Sequence, residues 1–210
     1  MKSQQLKCLL KNFYSSLNNY LYNHQGNHSE KFLHELELIK LDNVEKINAY
    51  KSATCSVLNN TLRNIPVKLA PLDSIVEKIA NLVIWHEASR GVPDLFKGGY
   101  AFAEIIGKRG LMVSNHIRLG LYIQKPEINY PLHAHDAEEY YFILSGNTDW
   151  QIEDKKFRVG PGCIVHHHSS EAHGIYTDKE PLLAVWMWTG QIDGRYWFSS
   201  HSEKDCLLDY

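Results

Sequence analysis

The segment 130–146 concentrates residue types that bind metal ions and move protons. His133 and His135 are separated by one residue, and Glu139 follows after three more. In an extended segment alternate side chains point to the same face, so these three residues and Tyr141 share one side. Two imidazoles and a carboxylate suit a divalent transition metal, and one further ligand would complete a site with room for water or substrate. The spacing therefore predicts a metal centre beside a tyrosine.

A fourth metal ligand has to come from elsewhere in the chain, and His173 is the best candidate because it follows a Ser-Ser-Glu turn. The run 166–168 is a weaker source, since three consecutive side chains alternate in direction and cannot all reach one ion. At most one or two of them face inward, and we expect His166 and His168 to stay outside the ligand set or to face solvent. A helix would bring His135 and Glu139 together as well, but it would turn His133 to another side, so a strand is favoured.

Short β-rich runs separated by turn residues fill the chain from about Gly98 onward, which is typical of an all-β barrel or sandwich. The predicted turns contain Ser145-Gly146-Asn147 and Gly160-Pro161-Gly162. The predicted strands are Met112–Ile123, Tyr140–Ile152, Phe157–Val159, Ile164–His167 and Leu182–Trp188, with the metal-binding segment extended between the first two.

The N-terminal half has helical periodicity instead, with apolar residues recurring at steps of three and four between Leu6 and Leu21. Further helices are predicted after Ser29, over about 43–62, and from Asp73 or Ser74 to a stop at Gly91. In the last of these Ile75, Ile79, Leu82, Val83 and His86 share a side. We expect a helical region, 1–97, to pack on a β-barrel domain, 98–210.

Composition narrows the classes of function. With 22 basic and 24 acidic side chains, the formal charge of −2 leaves no basic surplus for a nucleic-acid partner. Apolar runs are too short for a bilayer and the first residues do not resemble a signal peptide, so we expect a cytoplasmic protein without membrane contact. The four cysteines are scattered and predict neither a disulfide framework nor a zinc ribbon. The apolar helix faces need burial, and a homodimer is one way to provide it.

The order His-x-His, three residues, Glu, then Gly, followed by Pro161-Gly162 and a later histidine, resembles the two motifs of the cupin superfamily. That resemblance implies a mainly β fold with N-terminal helices, a cupin barrel (double-stranded β-helix or jelly roll) that holds a metal inside. The glycine that usually opens the first motif is replaced by Glu127.

A narrower resemblance adds two tyrosines and a tryptophan run to the cupin pattern. Tyr130-x-x-His-x-His-x-x-x-Glu-x-Tyr141, His173 and Leu-Leu-Ala-x-Trp186-x-Trp188-x-Gly190 are together similar to the cupin-type dimethylsulfoniopropionate (DMSP) lyases. The resemblance covers roughly the C-terminal half. It implies a carbon–sulfur lyase that splits DMSP into dimethyl sulfide and acrylate by β-elimination, with one divalent transition metal. The ligand types do not choose among Zn, Fe, Mn, Ni and Co.

This chemistry needs a base, because a weakly acidic proton α to a carboxylate must be removed. Tyr141 is predicted to be that base, with Tyr130 as the alternative or an assisting group; a phenolate forms only if a nearby cation or hydrogen bond favours it. The sulfonium of the substrate can sit over aromatic faces. The predicted substrate-binding residues are Tyr122, Tyr140, Trp186 and Trp188.

Two other classes of function remain open at this stage. The same ligand set would serve another metal-dependent cupin enzyme, such as an oxygenase or a sugar isomerase, in which the tyrosines would be incidental. A non-catalytic cupin that binds a small ligand is also compatible with the sequence.

Overall fold

The structure, a computed structural model, describes residues 3–23, 27–39, 44–87 and 96–198. The helices are α1 (Ser3–Asn23), α2 (Asn27–Glu37), α3 (Leu58–Arg63) and α4 (Leu72–Ala80), with 3-10 turns at Ala53–Val57 and Val67–Leu69. The first strands are β1 (Trp85–His86), β2 (Tyr100–Ile106), β3 (Arg118–Gln124), β4 (Asn129–His135), β5 (Ala137–Ser145) and β6 (Thr148–Ile152). The others are β7 (Lys155–Val159), β8 (Ile164–His167), β9 (His173–Thr177), β10 (Leu182–Gly190) and β11 (Tyr196–Phe198).

The strands form two antiparallel sheets. One has the order β1-β2-β3-β10-β5-β8 and the other the order β11-β4-β9-β6-β7. Period-two alternation gives each strand of the larger sheet an inner and an outer side. On β5, Tyr141 and Ile143 belong to the inner aromatic core, whereas Tyr140 and Phe142 belong to the outer core. The architecture is mainly β with N-terminal helices, as predicted.

The helices cover the outer side of the larger sheet. The predicted apolar face of α1 is buried there, and Tyr20 lies on Phe142 with ring centroids 5.1 Å apart. Phe32 of α2 packs on Tyr140 at 5.5 Å. This packing leaves the inner side of the sheet free for the site.

Two helix predictions are wrong in extent, because sheet pairing overrides local periodicity. In the predicted helix over 43–62, Val44 and Tyr50 form bridges to Met112 and Ile84, and only α3 is α-helical. The helix from Asp73 ends at Ala80, and His86 belongs to β1, which pairs with β2. The predicted stop at Gly91 lies outside the described residues. The sheet thus takes its edge strand from the region 1–97, and the division at residue 97 stays a prediction.

Several strand boundaries also differ. Strand β3 begins only at Arg118, and β2 and β9 were not among the predicted runs. Glu127, which replaces the usual motif glycine, adopts φ 59°, the left-handed conformation that glycine favours. Gly120 is required for close packing, because a Cβ there would meet the carbonyl oxygen of Ala103. Within the described ranges, no helix has the length and apolar character needed to cross a bilayer.

Candidate metal centre

A cavity opens between the sheets where β4 and β5 carry the predicted ligands. It is lined by Tyr100, Phe102, Arg118, Tyr122, Tyr130, His133, His135, Glu139, Tyr141, Trp186 and Trp188. The side-chain nitrogens of His133, His135 and His173 lie within 4.8 Å of one another, and all three residues are buried. The structure thus brings together histidines from β4 and β9, which are neighbours in the smaller sheet.

Each of these histidines is held in one tautomer by a backbone carbonyl. Nδ1 lies 2.9 Å from Pro131 O in His133, 2.9 Å from Ala137 O in His135, and 2.8 Å from Glu171 O in His173. A carbonyl oxygen only accepts, so Nδ1 carries the proton and donates. In the neutral imidazoles Nε2 is then left with a lone pair. An imidazole whose other nitrogen is fixed by a backbone carbonyl is the usual arrangement of a metal-binding histidine.

The carboxylate of Glu139 faces these nitrogens. Its Oε2 lies 3.3 Å from His135 Nε2 and 3.1 Å from His173 Nε2. His173 Nε2 is buried and has no hydrogen-bond partner in the part of the chain that the structure describes. A lone pair pointing at an anionic oxygen is unfavourable unless a cation, either a proton or a metal ion, lies between them. The donor set therefore fits a divalent transition metal held by three imidazoles and one carboxylate.

Two neutral donors hold the two oxygens of the carboxylate. Trp188 Nε1 donates to Glu139 Oε1 at 2.6 Å, and His167 Nδ1 lies 3.0 Å from Oε2. Trp150 Nε1 donates to His167 Nε2 at 2.8 Å. Because an indole N–H can only donate, His167 Nε2 is the acceptor, and the proton of His167 must sit on Nδ1 and point to Glu139. His167 is thus a support of the carboxylate rather than a member of the imidazole trio.

Burial and hydrogen bonding set the protonation of this cluster. Burial alone would raise the pKa of Glu139, but the charge of His135 and hydrogen bonds from the surrounding histidines hold it well below its usual value. Burial, followed by repulsion from His173 and His135, lowers the pKa of His133 well below its usual value. Burial lowers the pKa of His167 to about 3. Burial thus favours the neutral form of His133 and His167, and the carboxylate of Glu139 is ionised, which is the form in which a carboxylate binds a metal.

Tyr141 lies next to the carboxylate on the inner side of β5. Both residues line the cavity, and the ring of Tyr141 packs edge-on against Tyr122 at 5.5 Å and against Trp150 at 5.0 Å. Burial first, and then the charge of Glu139, raise the pKa of Tyr141 well above its usual value. In the absence of a nearby cation the phenol is neutral. Burial likewise raises the pKa of Tyr122 well above its usual value.

The remaining predicted aromatic residues are divided between the two sides of the sheet. Tyr130 stacks on His133 at 4.0 Å, and its hydroxyl is 2.7 Å from that of Tyr196. Trp186 and Trp188 both line the cavity. Tyr140 does not, and its assignment to substrate binding is wrong: alternation turns it outward, where its hydroxyl donates to Glu138.

Sequence reasoning missed three residues of the site. His167 is one. Alternation along β8 means that either His167 or its two histidine neighbours face inward, but the sequence does not say which. Arg118 is another: it forms an ion pair with buried Glu104, with 2.6 Å between Arg118 Nε and Glu104 Oε1, and lies 5.1 Å above the ring of Trp188. Tyr196, the third, comes from β11, far along the chain from its partner, and no local signal marks it.

Comparison with known proteins gives a consistent family assignment. A family model of dimethylsulfoniopropionate lyases matches residues 24–184. The chain is 31% identical over 116 residues to the dimethylsulfoniopropionate lyase DddQ of Ruegeria pomeroyi, covering 55% of this chain and 57% of that protein. It is also 31% identical over 115 residues to the putative lyase DddL of Cereibacter sphaeroides, covering 54% and 48%. The chain spans about half the length of the curated relatives it matches.

Solved structures share the fold. A crystal structure from the work on the DMSP lyases RdDddP and RnDddQII superposes with a TM-score of 0.72 at 17% identity, over 92% of this chain and 99% of that chain. The structure of DddQ from Ruegeria pomeroyi gives 0.68 at 21% identity, over 88% and 96%. These likenesses confirm the predicted fold class. Since the family model covers well over half of the sequence, this protein belongs to the dimethylsulfoniopropionate lyase family.

Proposed function

We propose that this protein is a metal-dependent lyase that cleaves DMSP into dimethyl sulfide and acrylate. Membership of the family supports the substrate and the reaction. The main support for a metal is the common orientation of His133, His135 and His173: each is buried and turns Nδ1 to a backbone carbonyl, which leaves Nε2 available as a ligand atom. These three histidines and Glu139 are the proposed ligands. Nothing in the donor set selects one metal among Zn, Fe, Mn, Ni and Co.

A bound divalent cation would supply a Lewis acid for the substrate carboxylate and a positive charge that lowers the pKa of nearby acids. The proposed base is Tyr141, because it lines the cavity beside a proposed ligand, Glu139, whose charge acts on its hydroxyl. Burial opposes phenolate formation, so Tyr141 can act as a base only when that positive charge is present. The phenolate takes the α-proton, the C–S bond breaks, and dimethyl sulfide leaves with the bonding electron pair. The proton then rests on the Tyr141 oxygen until solvent removes it.

The charges of the cavity suggest how the zwitterionic substrate is oriented. Arg118 lies 5.5 Å above the ring of Trp186 and 5.1 Å above that of Trp188, so a guanidinium already occupies these indole faces. A second cation would be repelled there. We therefore assign the carboxylate of the substrate to the side with the ligands and Arg118. The sulfonium then faces the tyrosine wall, in which Tyr122 and Tyr130 stack with centroids 6.4 Å apart.

The experiment compares Tyr141→Phe with Tyr130→Phe in protein of measured metal content. Both changes remove one hydroxyl from the cavity wall and leave the ring. Tyr141→Phe should lower the rate of dimethyl sulfide release, measured by gas chromatography, by at least about 100-fold, with the metal retained. Tyr130→Phe should keep measurable turnover, because the hydroxyl of Tyr130 is hydrogen-bonded to that of Tyr196. A Tyr141→Phe variant with unchanged turnover would refute the assignment of the base. Metal-loaded wild-type protein that releases no dimethyl sulfide would refute the proposed reaction.

A further inference from the structure

A second group of potential ligands lies on the outer side of the same two strands. Glu138, His166 and His168 each offer a nitrogen or oxygen atom, and these atoms lie within 4.8 Å of one another. Strand alternation explains the placement: Glu139 pairs with His167 between β5 and β8 and both face inward, so the residues beside them face outward. We call these three residues the outer cluster.

Two members of the outer cluster are held in place by packing. His166 Nε2 is 2.5 Å from Glu138 Oε1, and the hydroxyl of Tyr140 donates to the same oxygen at 3.1 Å. The ring of Tyr140 stacks on His166 with centroids 4.4 Å apart. Tyr140 is itself fixed by Phe32 of α2. The side chains that meet an incoming ion are therefore already ordered, which reduces the entropy lost on binding.

The third member closes the cluster from the exposed side. The ring of His168 lies 4.5 Å from that of His166, and its backbone N–H donates to Glu171 at 2.9 Å. Two histidines separated by one residue in an extended segment point the same way and can bind one ion together. His168 is exposed, so the side of the cluster away from the sheet is open to solvent and to additional ligands.

The surroundings favour a cation. Glu138 and Tyr140 line a surface groove together with Glu30, Lys31, His34 and Glu35 of α2. Three carboxylates and a single ammonium group therefore face this groove. The net negative charge attracts a divalent ion, and His34 adds a further imidazole at its rim.

We propose that the outer cluster is a second site for a divalent transition metal of the zinc class, with Glu138, His166 and His168 as protein ligands and an open coordination position towards the groove. Two imidazole nitrogens and one carboxylate oxygen are a common ligand set for zinc. The site is separate from the inner centre, because Glu138 and His166 lie on the outer side of the larger sheet, whereas the inner ligands face the cavity between the two sheets. It does not depend on the proposed lyase activity.

The test counts zinc in full-length protein. Wild-type protein, His168→Ala and the control His116→Ala are stripped with chelator and titrated with Zn²⁺ by calorimetry. Bound zinc is then counted by elemental analysis after gel filtration. His168 and His116 are both exposed, so neither change should disturb folding, and urea unfolding checks this. His168→Ala should bind one equivalent of zinc fewer than the wild type, and His116→Ala should bind the same number.

The difference in bound zinc between the wild type and His168→Ala tests the outer site whether or not the inner centre binds zinc. If the inner centre binds no zinc, the wild type still exceeds His168→Ala by one equivalent when the outer site exists. Equal zinc content in the wild type and His168→Ala overturns the proposal. So does an equal loss in His116→Ala, because it would show binding to surface histidines in general.

Discussion

Because His167 supports Glu139, substitutions of His167 should change the stability of the protein and its metal affinity in different orders. His167 is fully buried and makes two hydrogen bonds: it accepts one from Trp150 at 2.8 Å and donates one to Glu139 at 3.0 Å. The amide of asparagine lies about as far from the backbone as Nδ1, and the amide of glutamine about as far as Nε2. His167→Asn can therefore keep the donor to Glu139, and His167→Gln can keep the acceptor for Trp150. His167→Phe keeps neither.

The magnitudes follow from the groups left without partners. A buried polar group without its partner costs about 1–3 kcal/mol, so His167→Phe should lower the free energy of unfolding of the metal-free protein by about 2–6 kcal/mol. His167→Asn and His167→Gln each leave one of the two partners without its hydrogen bond, so each should lower the free energy of unfolding by about 1–3 kcal/mol. Loss of a group that orients a metal ligand typically lowers affinity by about 10- to 100-fold. We expect that loss in the Gln and Phe variants, and much less in the Asn variant.

The assay combines urea unfolding in chelator with zinc titration. All titrations use the His168→Ala background, so that the outer cluster does not contribute. The expected order of zinc affinity is wild type, then Asn, then Gln and Phe together, whereas the expected order of stability places Phe alone at the bottom. If the Asn variant loses as much affinity as the Gln variant, the hydrogen bond from Nδ1 does not orient Glu139, and the reasoning is refuted.

Two further predictions concern stability. The folded state lowers the pKa of His167 from 6.5 to about 3, so the stability gained from its neutral form is complete above about pH 6.5 and is lost as the pH falls towards 3. The metal-free protein should lose about 2 kcal/mol from this group between pH 6.5 and pH 5, and a urea midpoint that stays constant over this range would contradict the burial of a neutral imidazole. Glu127→Gly should stabilise the protein by up to about 1 kcal/mol, because φ 59° strains a residue with a side chain. Glu127→Ala should not stabilise the protein, because alanine also carries a Cβ. An equal gain in stability in both variants would exclude backbone strain as the cause.

Local alternation explains why much of the site could be predicted. His133 and His135 share one face of β4 as alternation requires, whereas Glu139 reaches the same cavity from β5, which belongs to the other sheet. The same rule places Tyr140 on the opposite side from Tyr141, which the prediction of Tyr140 as a substrate contact did not take into account. The buried face of α1 could also be predicted from sequence, because a helix that packs on a sheet buries one continuous stripe of apolar residues.

Other features depend on pairings between distant parts of the chain. His167 meets Glu139 through the register between β5 and β8, and the phase of a short strand inside a run of histidines is not visible in sequence. Arg118 meets Glu104 across β2 and β3, where neither residue carries a motif. Residues 44–52 have apolar positions that suit a helix, but bridges to the sheet edge decide their conformation.

The central claim is that three imidazoles and one carboxylate bind a single ion inside the barrel. A crystal grown with Zn²⁺ and measured on both sides of the zinc absorption edge tests it directly. We predict an anomalous peak about 2.0–2.1 Å from Nε2 of His133, His135 and His173, with Glu139 as the fourth protein ligand. An empty cavity in zinc-saturated crystals, or an ion bound through Nδ1 of any of these histidines, would contradict the account.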